Sequence, residues 1–103
     1  MELDELDSYI ETYNEEIKPR IESGNYNEEL ITYMTGLVAI LSEECIRSTM
    51  TIKLDRYLLQ SGADAKILLD SLKEKDIYKI NKLNKELEVH LRQFRVGLEA
   101  KSQ

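Results

Sequence analysis

Apolar residues recur at steps of three and four through most of this 103-residue chain, a pattern that predicts helices almost throughout. The longest unbroken stretch of one period runs from Asp76 to Leu98. There Ile77, Ile80, Asn84, Leu87, Leu91, Phe94 and Leu98 form a single stripe. Near the start, Leu3, Leu6, Ile10, Tyr13 and Ile17 make a narrower seam, with Asp4, Glu5, Asp7, Glu11, Glu15 and Glu16 off it. Pro19 has no backbone N–H to give and crowds the preceding turn, so a kink or early stop is expected near Lys18. Ile21 keeps the phase, and Ser23-Gly24-Asn25 ends the element, with Gly24 suited to the left-handed position after a helix.

Asn25 or Asn27 caps the next helix in this reading, Asn25 with Glu28 having the form of a capping box. From Leu30 to Ile46 the apolar positions leave little of the circumference polar, which marks this helix as the buried, central one. Residues 47 to 52 have weak helix propensity but no Pro or Gly, so the helix either bends near 48–52 or runs straight to Gln60. Ser61-Gly62 reads as a stop, and Asp64 as the cap of a short helix carrying Ile67, Leu68, Leu69 and Leu72. That stripe is out of phase with the last one, which places a joint at Lys73 to Asp76. The predicted fold is all-α, one domain over 1–103: an antiparallel bundle of three to four helices, about 3–22, 27–60, 64–74 and 77–100.

Composition narrows the setting. With one Pro, four Gly and 33% charged residues, the chain lacks the turn signals of a strand-rich fold. Cys45 is alone, which excludes an intramolecular disulfide and a cysteine-based zinc site. The acidic start carries no signal or transit character, and the longest apolar stretch is about half the ~20 residues that span a bilayer. A cytoplasmic, intracellular protein with no membrane attachment is the expectation. The net charge of −6 hides an asymmetry: residues 1 to 30 hold ten acids and two bases, residues 53 to 103 eight acids and eleven bases. That balance favours the first helix lying near the last, in the same molecule or a neighbouring one.

Candidate chemistry is sparse. His90 is the sole histidine, with Glu86 one turn before it, and neither a His-Glu-x-x-His nor a Glu-x-x-His pattern accompanies it. Cys45 as a nucleophile would need His90 brought to it. Carboxylate pairs such as Glu11 with Glu15 read as a solvated face, and the glycines lie too far apart for a phosphate loop. No catalytic, cofactor-binding or metal-ligating residue is therefore predicted, no cofactor is expected, and the chain is read as a non-enzyme.

Two features of the last helix point to partners. Asn84 interrupts the stripe, as polar residues do where a seam fixes register or oligomer state. Val89 and Val96 lie seven residues apart away from the stripe, with Leu83 near them, so a second apolar side is left over. Leu83, Asn84, Val89 and Val96 are the partner-binding candidates. Lys75, Lys79, Lys82 and Lys85 form a basic strip that could follow a phosphate backbone or dock the acidic first helix. Length and acidity are similar to those of the helical-hairpin substrates of type VII secretion, but without Trp there is no Trp-x-Gly turn and the resemblance implies nothing further here. The expected function is that of a helical interaction protein, an adaptor or assembly subunit working as a homo-oligomer or with a protein partner. The alternative is an acidic regulator or inhibitor of a nucleic-acid-processing machine, or a weak nucleic-acid binder through the last helix.

Overall fold

The computed structural model describes residues 1–50 and 55–101. An N-terminal helical rod comprises α1 (Leu3–Thr12), a π-helical turn (Tyr13–Ile17) and α2 (Lys18–Glu22). It is followed by α3 (Glu28–Met50), α4 (Arg56–Glu74) and α5 (Ile77–Lys101), and the bundle is 39 Å long. Neighbouring helices run antiparallel. Asp7 meets Arg95 while Lys18 meets Glu88, and Asp64 meets His90 while Asp55 approaches Gly97.

Pro19 does not break the first helix. It sits in the first turn of α2, where its missing N–H leaves no orphan, and the chain widens just before it into the π turn. Leu6, Tyr13, Ile17 and Ile21 thereby all stay on the buried side. The rod ends as the sequence implies: Gly24 has φ +74°, with its N–H on Ile21 and that of Asn25 on Arg20. Open space surrounds a Cβ at Gly24, so only the backbone resists substitution. Gly24→Ala is expected to lower stability by about 1–2 kcal/mol in urea unfolding, since any other L-residue is strained there. Asn27, not Asn25, caps α3, its Oδ1 accepting from Leu30 N–H at 2.9 Å.

The middle of the chain departs from the sequence reading. No single helix covers 27–60: α3 is described as far as Met50, Asp55 is extended, and α4 begins at Arg56 rather than at residue 64. Asp55 is the cap of α4, accepting from the N–H groups of Tyr57 and Leu58. Ser61 and Gly62 are helical, and the glycine suits the close packing there: a Cβ would stand 3.3 Å from Cys45 Sγ, a tight contact where α3 and α4 approach. Residues 48–50 continue α3; the rest of the 48–52 bend lies outside the described residues. The joint at Lys73 to Asp76 is present, with Lys75 left-handed at φ 58° and Asp76 accepting from Lys79 N–H to open α5.

No helix occupies the middle. The rod touches α3 and α5, and α4 touches the same two, so the four form a ring around a shared core. Each therefore keeps one face in solvent. On α3 that face carries Thr35, Gly36, Ala39 and Ile46, while Leu30, Met34, Leu37 and Leu41 point inward. The core is completed by Leu58, Leu68 and Leu72 of α4 and by Ile80, Leu87, Leu91 and Phe94 of α5. No helix among the described residues is long and apolar enough to cross a membrane.

Candidate functional site

The side of α5 facing the rod is held by polar contacts that cross between the two ends of the chain. Arg95 Nε lies 2.5 Å from Asp7 Oδ1, and Lys18 Nζ lies 3.0 Å from Glu88 Oε1. The Arg95 guanidinium holds the Asp7 carboxyl below its ordinary pKa. Between Asp7 and Lys18 on the rod, the buried Tyr13 hydroxyl donates to Asn84, one turn before Glu88, within reach of its backbone oxygen at 3.0 Å and of its side-chain Oδ1. Burial, with the negative charges of Glu88 and Glu22 adding to it, raises the Tyr13 pKa, so the hydroxyl remains a donor at neutral pH. Asn84 thus sets the register of α5 against the rod inside one molecule. Leu83 is likewise buried, and neither side chain is presented to a partner by the folded chain.

The side facing α4 holds a second polar cluster. His90 Nδ1 lies 2.5 Å from Asp64 Oδ2, and the ring of Tyr57 stacks on the imidazole with centroids 6.5 Å apart. Burial pushes the Asp64 pKa up; the contact with His90 opposes that rise and the charge of Glu86 adds to it. In sequence His90 has Glu86 one turn before it, and Asp64 has the place of a helix cap. Asp64 instead lies two turns inside α4, where it is 7% exposed. Ser61 Oγ, one turn before it, is buried and has no hydrogen-bond partner among the described residues.

Cys45 is not brought to this imidazole. Its Sγ lies 3.7 Å from the Leu58 carbonyl oxygen, and burial, with Glu44 nearby, raises the thiol pKa. That environment disfavours the thiolate a nucleophile or metal ligand needs. No group of three or more His, Cys, Asp or Glu among the described residues is arranged to hold a metal ion.

The outer side of α5 is different in kind. Tyr78 is 78% exposed, Val89 46% and Val96 60%. Lys82 and Lys85 stand among them in solvent, as does Lys75, and none of the three lysines has an ion pair among the described residues. Lys79 has only a loose contact of 4.0 Å with Asp76. The basic strip is therefore not where the acidic rod docks within the molecule; Arg95 does that work further along the helix. A groove of about 280 Å³ lies between the rod and α3, lined by Tyr9, Thr12, Tyr33, Gly36 and Ile40 among others.

No family model matches the chain, and no curated protein or solved structure is significantly similar to it.

Proposed function

We propose that the protein is a non-enzymatic interaction module that works through helix–helix contacts on the outer face of α5. The observation carrying this reading is the division of that helix. Ile80, Leu83, Leu87, Leu91 and Phe94 are committed to the core, while Tyr78, Val89 and Val96 expose apolar surface beside unpaired lysines. Single exposed apolar residues are ordinary on any protein. Here they share one helix face with cations, the composition of a contact that combines apolar burial with charge-directed pairing.

The test is amine-reactive cross-linking of the full chain in extract from its native source. Cross-links from Lys82 and Lys85 to polypeptide are expected, and they should be lost in Val89→Asp/Val96→Asp. Cross-links that survive this double substitution would count against the face. The unpaired lysines also support a second reading, a weak nucleic-acid contact. Salt-dependent DNA or RNA binding that disappears when Lys75, Lys79 and Lys82 are neutralised would favour it over the first.

A further inference from the structure

The rod and α5 lie side by side, and the geometry points to a second copy of this chain as an occupant of the face they share. The inference rests on the reading of α5 as a contact surface and names one partner for it. On the rod, Asp7 and Lys18 mark the side that touches α5. Glu11 and Glu22 each follow one of them by four residues, so they lie one turn on and rotated toward solvent, and Glu15 follows Glu11 by four more. All three are exposed. On α5, Glu88 and Arg95 mark the side that touches the rod. Arg92 comes four residues after Glu88 and Lys85 three before it, again on the solvent side, with Lys82 one turn earlier; all three are exposed.

The molecule thus presents an acidic row and a basic row next to each other. The antiparallel register fixes their relative heights. With Asp7 level with Arg95 and Lys18 with Glu88, Glu11 stands level with Arg92 and Glu22 near Lys85, while Glu15 falls between these two levels and Lys82 lies one turn beyond Lys85. A two-fold axis parallel to the bundle, placed over the groove between the rod and α5, puts the acidic row of each copy against the basic row of the other. Every cross-pair is then made twice, as an isologous interface requires. A two-fold axis at right angles to this one would set like rows against each other and is disfavoured.

The existing contacts of these charges are slight. Glu22 is 4.0 Å from Lys18, Arg92 is 3.4 Å from Glu88, and Glu11, Glu15, Lys82 and Lys85 have no ion pair among the described residues. Tyr78 and Val96 flank the basic row and supply apolar contact between the copies. Exposed ion pairs are individually weak, so the dimer is salt-sensitive.

Sedimentation equilibrium of the full chain tests this directly. At about 50 mM NaCl the mass should approach twice 12.0 kDa, and at about 500 mM the dimer should dissociate with a dissociation constant raised roughly tenfold or more. Two variants, Glu11→Lys/Glu15→Lys/Glu22→Lys and Lys82→Glu/Lys85→Glu/Arg92→Glu, should each remain monomeric at low salt. Mixed together they should form a one-to-one heterodimer, because both rows are then complementary. A wild-type chain that stays monomeric at low salt, or a dimer indifferent to salt, overturns the inference, and neither result depends on the variants folding. If the wild-type chain is monomeric while Lys82 and Lys85 still cross-link to another polypeptide, the self-pairing fails and the function proposed for α5 stands.

Discussion

His90→Ala is expected to lower stability by about 2–4 kcal/mol at neutral pH, because it leaves the Asp64 carboxylate buried without its partner. The loss should depend on pH with a defined sign. Burial already lifts Asp64 above its ordinary 3.8, and removing His90 removes the contact that opposes the lift. A carboxyl whose folded pKa is raised supports the fold below its unfolded pKa and loses that support as pH climbs through the folded value. The deficit of the variant relative to the wild-type chain should therefore be smallest near pH ~4 and grow toward pH ~7. Replacing both residues, as Asp64→Leu/His90→Leu, should restore much of the loss, since no charge is then buried. Urea unfolding of the three chains at both pH values checks this, and a pH-independent deficit would mean that Asp64 is neutral or solvated in the fold.

Tyr13→Ala is expected to cost about 3–5 kcal/mol, the range for deleting a buried aromatic ring. Tyr13 is 1% exposed and lies at the π turn, where it spans to α5. Tyr13→Phe separates the hydrogen bond from the ring. It should cost about 1–2 kcal/mol, because Asn84 loses the donor it uses inside the core. In the Tyr13→Phe background, Asn84→Leu should then be milder than in the wild-type chain, since the pair has already been broken. A neutral Tyr13→Phe would remove Asn84 from any part in setting the register.

The sequence pattern exposed the local decisions and hid the long-range ones. Gly24 as a helix end, the joint at Lys73 to Asp76, and the inward stripe from Ile80 to Phe94 all rest on residues within a few turns of one another, and each is present in the fold. Gly62 was misread because a glycine that stops a helix and one that lets a second helix approach look alike in sequence. Only Cys45 on α3 separates the two cases. Asp64 follows a Ser-Gly pair and precedes an apolar run, as a cap does, and its partner is 26 residues away on another helix. The wide apolar stripe of α3 suggested a central helix, but a ring of four gives each helix two neighbours and a wet side. Val89 and Val96 are legible as an outer pair because they fall off the stripe, and Asn84 as an inner residue because it falls on it, whereas the burial of Leu83 is not, since it follows from how closely the rod and α4 flank α5.

The division of α5 into an inner face that holds the fold and an outer face left for contact is tested most directly by urea unfolding of Val89→Asp/Val96→Asp. The measurement is made at high salt, so that self-association adds nothing to apparent stability. The double variant is expected to unfold within about 0.5 kcal/mol of the wild-type chain, as surface substitutions do, while its cross-links from Lys82 and Lys85 are lost. A loss of about 2 kcal/mol or more would show that the outer face belongs to the core, and would contradict the account.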